Sequence, residues 1–188
     1  MKPIIIFIFI ILCLSINPLG HAQTIIDTQI ETRRLDKIHH KIINDYPQLT
    51  HVSSEEMQNL IKSQDVLLLD TREPDEYAVS HIDGAVRIDP NIQTDDFMSQ
   101  FDEQIRGKTI ILYCSVGRRS SKLAARLQPA LRAAGANTIS NLEGGIFRWH
   151  NDELPLSRGE NATEKVHPYN RWWSRLVARK DDIAYAPE

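Results

Sequence analysis

The chain has 188 residues, 41% of them hydrophobic and 25% charged, with eight glycines and nine prolines. That is room for one ordinary domain with extensions, and the composition excludes a collagen-like, a wholly disordered or a disulfide-stapled chain. A net charge of −3 gives no reason to expect a nucleic-acid partner, and two cysteines cannot build a four-cysteine zinc site.

The first 22 residues stand apart. Lys2 precedes thirteen nearly uninterrupted apolar positions, Ile4 to Ile16, short of the roughly 20 that a spanning helix needs. Asn17-Pro18-Leu19-Gly20 is expected to break the helix, and Gly20-His21-Ala22 has the small residues of a signal-peptidase site. Cleavage after Ala22 is therefore expected, leaving an exported, periplasmic protein with no stable membrane insertion; an uncleaved anchor is the alternative. Cys13 leaves with the segment, so the mature chain keeps only Cys114. A lone thiol in an oxidising compartment forms no internal disulfide and marks a candidate reactive group. The plainer reading is a small buried hydrophobe.

Residues 27–46 read as a helix with an apolar stripe of Ile30, Leu35, Ile38, Ile42 and Tyr46, ended by Asp45-Tyr46-Pro47. It is expected to pack on the main domain as an extension spanning 23–48. His39 and His40 lie on it as adjacent residues, about 100° apart, which suits solvated surface better than a shared metal.

From residue 49, strand-like and helical runs alternate. The candidate strands are 49–52, 66–69, 85–88, 109–113 and 137–141. Val66–Leu69 and Ile110–Leu112 are continuous apolar runs, the pattern of strands buried on both faces. Ser53-x-x-Glu56 is a capping box that opens a helix. Further helices are expected at 74–79, 95–105, 120–134 and 145–150, with a kink or break at Pro129. The alternation predicts an open, mainly parallel α/β sheet, whose sites lie at the carboxyl ends of strands. Asp70-Thr71-Arg72 and Cys114 both occupy such ends. Residues 151–188 lack a long periodic segment. The basic-aromatic stretch from Arg171 to Lys180 suits packing on the domain, with a partner-binding or membrane-surface helix as the alternative.

Cys114-Ser115-Val116-Gly117-Arg118-Arg119-Ser120 reads as a loop between a strand and a helix. A loop running into a helix start leaves backbone N–H groups free to converge on an anion. Gly117 permits the required backbone angles. The helix dipole, Arg118 and Arg119 add positive charge, so the thiolate should be favoured over the thiol, and a thiolate is a nucleophile. Residues 104–142 carry seven basic residues and no acid, a block expected to draw small anions to the cysteine.

Cys114-Ser115-Val116-Gly117-Arg118-Arg119 resembles the Cys-x-x-Gly-x-Arg active loop of rhodanese-type sulfurtransferases. Asp70-Thr71-Arg72, His81-Ile82-Asp83-Gly84-Ala85 and Glu143-Gly144-Gly145 followed by Trp149 resemble three further family segments, in the family's order, so the resemblance covers residues 49–156. It implies a five-stranded sheet with helices on both faces and a ping-pong reaction without cofactor or metal. Cys114 would be the catalytic residue, taking sulfur from a small anionic donor such as thiosulfate. A thiol or cyanide acceptor would remove it. Ser115, Val116, Gly117, Arg118, Arg119 and Ser120 would bind substrate, with orientation of the loop as the alternative role for the Arg119 side chain. Asp70 and Arg72 would support the site structurally, His81 would anchor a turn, and Trp149 would fill the core. The resemblance also admits a low-turnover sulfur carrier that recruits a partner through its C-terminal extension, 157–188. Rhodanese-like phosphatases and arsenate reductases have related loops, but the phosphatase loop is one residue longer than Cys114–Arg119. Ser80 and Ser115 depart from residues common in the family, a glycine and a cation respectively.

Overall fold

A computed structural model describes residues 18–62 and 65–187, with side chains from Ile26 onward. The apolar segment before Pro18 lies outside the described residues.

The first helix, α1 (Pro18–Asp45), is longer than expected and includes Pro18, Leu19 and Gly20 of the anticipated break. The helix ends ahead of Pro47, as predicted. Leu35 and Ile42 are buried, whereas Ile30 is 40% exposed. His39 is buried rather than solvated: its ring meets that of His51 edge-on, with centroids 4.8 Å apart.

Then follow β1 (Thr50–Val52), α2 (Ser54–Lys62), β2 (Val66–Asp70), α3 (Pro74–Val79), β3 (Val86–Arg87), α4 (Thr94–Ile105), β4 (Thr109–Tyr113), α5 (Arg118–Ala133), β5 (Thr138–Leu142) and α6 (Gly145–Asn151). The Ser53 capping box forms at the start of α2: the Glu56 N–H donates to Ser53 Oγ at 3.2 Å, and the Ser53 N–H donates to Glu56 Oε2 at 2.8 Å. The α5 helix runs through Pro129 as one element, against the expected break. A proline inside a helix costs about 3 kcal/mol. Burial of Leu123, Leu127 and Leu131 offsets that at about 1.5–3 kcal/mol for each side chain.

The five strands form one sheet in the order β1-β5-β4-β2-β3, and every pairing is parallel. Alternation along the central strands makes two cores. Leu67 and Leu69 of β2 join Ile110 and Leu112 of β4 on the face covered by α4 and α5. Leu68, Ile111 and Tyr113 face Leu35 of α1, Met57 of α2 and Ile146 and Trp149 of α6. This explains the unbroken apolar runs: both faces of each central strand are buried.

The C-terminal residues are more ordered than their pattern suggests. A hairpin of β6 (Leu156–Arg158) and β7 (Asn161–Thr163) is followed by short 3₁₀ turns at Trp173–Leu176 and Lys180–Asp182. Val166, Leu176 and Val177 lie in the same core as Leu35 and Trp149. Both extensions therefore complete the hydrophobic interior of the family-like region.

Candidate active site

Cys114 follows β4 at the carboxyl end of the sheet, and its loop turns into α5 within three residues. The Gly117 N–H donates to Cys114 Sγ at 3.2 Å. Gly117 has φ of 91°, a left-handed conformation that favours glycine, and a Cβ there would stand 3.0 Å from the Asn141 side-chain nitrogen. Ser120 secures the other end of the turn by donating from Oγ to Asn141 Oδ1 at 2.6 Å.

The loop is held from behind by α6. The Ile146 N–H donates to the Cys114 carbonyl at 2.9 Å and the Phe147 N–H to the Ser115 carbonyl at 3.1 Å. This close approach explains Gly144-Gly145. A Cβ on Gly145 would come within 2.2 Å of the Cys114 carbonyl oxygen, and Gly145 itself has φ of 58°. The Glu-Gly-Gly segment thus braces the cysteine loop, a role not assigned from the sequence.

Cys114 is only 1% exposed, but it is not sealed in the interior. It borders a pocket of about 290 Å³, together with Ser115, Val116, Arg118, Arg119, Tyr169 and Trp173. Ser120 does not line this pocket, and neither do Asp70 and Arg72. The last two are fully buried and bind each other, with Arg72 Nη2 to Asp70 Oδ2 at 2.7 Å. His81 is tied to the turn: its ring stacks on Tyr77 with centroids 4.0 Å apart, and its backbone bridges Ser157. Trp149 is buried and donates from Nε1 to the Pro155 carbonyl at 2.8 Å.

The Arg119 guanidinium is paired with a buried carboxylate, the loop-orienting arrangement. Its Nη1 and Nη2 donate to both carboxylate oxygens of Glu76 at 2.8 and 2.9 Å. Ser115 Oγ donates to Glu76 Oε1 at 2.7 Å and accepts from Arg119 Nη2 at 3.0 Å. Glu76 is 2% exposed. Burial pushes its carboxyl upward, but the hydrogen bonds and charge of Arg119, with help from the Glu73 N–H and the Ser115 hydroxyl, hold it below the usual carboxylate range. Burial also opposes the charge on Arg119, yet the Glu76 hydrogen bond and the adjacent Cys114 sulfur raise its pKa. Arg119 is thus a positioning residue that ties the loop to α3, and the Ser115 hydroxyl is committed to the same network. The exposed Arg118 is the cation without a carboxylate partner at the pocket.

Of the basic block of residues 104–142, Arg118 and Arg119 line the cysteine pocket and others point elsewhere. Lys108 faces Asp65, and Arg126 donates to the Ile92 carbonyl on another face. Tyr169 and Trp173 enter the wall from the C-terminal segment, with the Tyr169 ring 4.8 Å from the Arg119 guanidinium. The stretch Arg171–Lys180 signalled Trp173, whereas Tyr169 had no local signal. No cluster of three or more histidine, cysteine or acidic residues suited to a metal occurs among the described residues.

The family model of the Rhodanese-like domain matches residues 53–152. An uncharacterized protein, slr1261, of Synechocystis sp. is 34% identical over 116 residues, covering 59% of this chain and 58% of that protein. A tRNA uridine(34) hydroxylase of Staphylococcus saprophyticus is 31% identical over 140 residues, covering 73% of this chain and 42% of that protein. The chain thus aligns with about half the length of these relatives. Among solved structures, a thiosulfate sulfurtransferase from Pseudomonas aeruginosa is 18% identical with a TM-score of 0.48, covering 84% of this chain and 26% of that one. With its family match spanning α2 to α6 and the cysteine loop between them, the chain belongs to the rhodanese-like domain family.

Proposed function

We propose that the protein is a sulfurtransferase that carries sulfane sulfur as a persulfide on Cys114. The observation that carries this reading is the placement of the Cys114 sulfur on a pocket wall, facing the Gly117 N–H at the start of α5. Backbone donors and a helix N-terminus favour a negatively charged sulfur. In the first half-reaction the Cys114 thiolate attacks the outer sulfur of thiosulfate. A new S–S bond forms, the donor S–S bond breaks, and sulfite leaves with the electron pair. In the second, an acceptor thiolate or cyanide attacks the outer persulfide sulfur and Cys114 leaves as thiolate. Each step is a nucleophilic displacement and needs no outside oxidant. Export with cleavage after Ala22 accompanies this proposal, and mass spectrometry of the secreted protein should then begin at Gln23.

The test is incubation of the mature protein with thiosulfate followed by mass spectrometry. The expected result is a gain of one sulfur atom on Cys114, reversed by cyanide with release of thiocyanate. Cys114→Ser should abolish loading while keeping the fold. A Cys114→Ser protein that still makes thiocyanate would overturn the assignment. Repeated turnover with small acceptors distinguishes a catalyst from a carrier, which would load once and await its partner.

A further inference from the structure

A second groove, of about 390 Å³, adjoins the Cys114 pocket and shares Arg118 and Trp173 with it. Five cations line this groove and no acid does: Arg34, Lys37 and Lys41 of α1, together with Arg118 and Arg175. Arg34 is partly compensated by Glu31 at 2.9 Å. Arg175 stacks on Trp172, 3.3 Å from the ring centroid. Among the described residues no ion pair engages Lys37, Lys41 or Arg118.

Positions 34, 37 and 41 lie on one face of α1, where like charges at such spacings disfavour the helix. A multiply charged anion lying in the groove relieves that repulsion. A small inorganic donor held against Cys114 leaves this groove unused, because the groove extends away from the pocket through Arg118. The matching ligand has a sulfur at one end and several negative charges along its body.

We propose that the groove binds the anionic body of an organic thiol whose sulfur enters the Cys114 pocket and accepts the sulfane sulfur. The inference rests on the sulfurtransfer reading and names its acceptor class. The acceptor thiolate attacks the outer sulfur of the Cys114 persulfide, a new S–S bond forms, and the Cys114 S–S bond breaks to return the thiolate. Trp173 stands at the junction of the two cavities, where it contacts the uncharged part of such a ligand.

Coenzyme A and pantetheine provide the test, because they share the thiol arm and differ in the nucleotide and its phosphates. Binding is first measured by calorimetry with Cys114→Ser protein, in which no sulfur transfer occurs. Coenzyme A should bind at least about tenfold more tightly than pantetheine at low salt, and the advantage should shrink as salt screens the groove. In K37A/K41A, or in K37Q/K41Q should the first variant unfold, the ratio should fall towards one. Single-turnover unloading of the Cys114 persulfide by each thiol should show the same ratio. Equal binding of the two thiols, or a preference indifferent to both lysines, would overturn the inference. Failure of thiosulfate to load Cys114 would instead remove the sulfurtransfer reading, while the calorimetry would still report on the groove.

Discussion

Arg119 holds its charge against Glu76 rather than presenting it to solvent, and this changes what its removal should do. With Glu76 at 2% exposure, Arg119→Ala leaves a buried carboxylate without its main partner. Breaking a buried pair in this way costs about 3–5 kcal/mol, reduced here to about 2–3 because the arginine side chain is partly accessible. Urea denaturation of Arg119→Ala should show that loss, and slowed sulfur transfer should follow because Ser115 and the loop lose their tether. A stability change below about 0.5 kcal/mol would show that the pair does not anchor the loop. Cys114, Gly117 and Arg119 were legible in the sequence because they lie within one short loop. Glu76 was harder to assign, since only the fold brings α3 beside α5, although the spacing Glu73-x-x-Glu76 at a helix start was a usable signal. Likewise, counting charges along 104–142 overstated the field at Cys114, because side chains in one stretch point to different faces.

At the scale of elements, α6 acts as the support for the cysteine loop, and Gly145 is the contact point. Gly145→Ala brings a Cβ against the Cys114 carbonyl and also strains a positive φ. Backbone cannot yield as a flexible side chain does, so a loss of about 2–4 kcal/mol is expected by calorimetry, with Cys114 displaced and sulfur loading slowed. A variant with unchanged stability and full loading would contradict the bracing role. The strands were legible to within a residue or two, the central β2 and β4 because their apolar runs are buried on both faces. The edges of the helices were less so. Pro18 was read as part of a helix break and is helical, and Pro129, read as a kink or a break, sits inside one continuous helix anchored by three leucines.

For the whole molecule, pH should act through histidines that are buried where separate segments meet. Burial lowers the pKa of His39, His51, His150 and His167, with His51 at about 4. The unfolded chain has histidine values near 6.5 and therefore binds more protons below that pH. The stabilisation is complete above about 6.5 and is lost as pH falls towards about 4. Glu76, held below its usual range, adds a loss only at more acidic pH. Denaturant midpoints should decline between pH 7.5 and 5, and H39Q/H51Q should flatten the decline; an equal slope in that variant would assign the effect elsewhere. His39 escaped the sequence reading because its burial is created by the contact of α1 with His51 on β1, some distance along the chain.

The wall formed by Tyr169 and Trp173 also bears on biogenesis. Strand β4 and its cysteine leave the ribosome dozens of residues before these aromatic rings do. Until those rings arrive, a nascent chain presents a more open thiol.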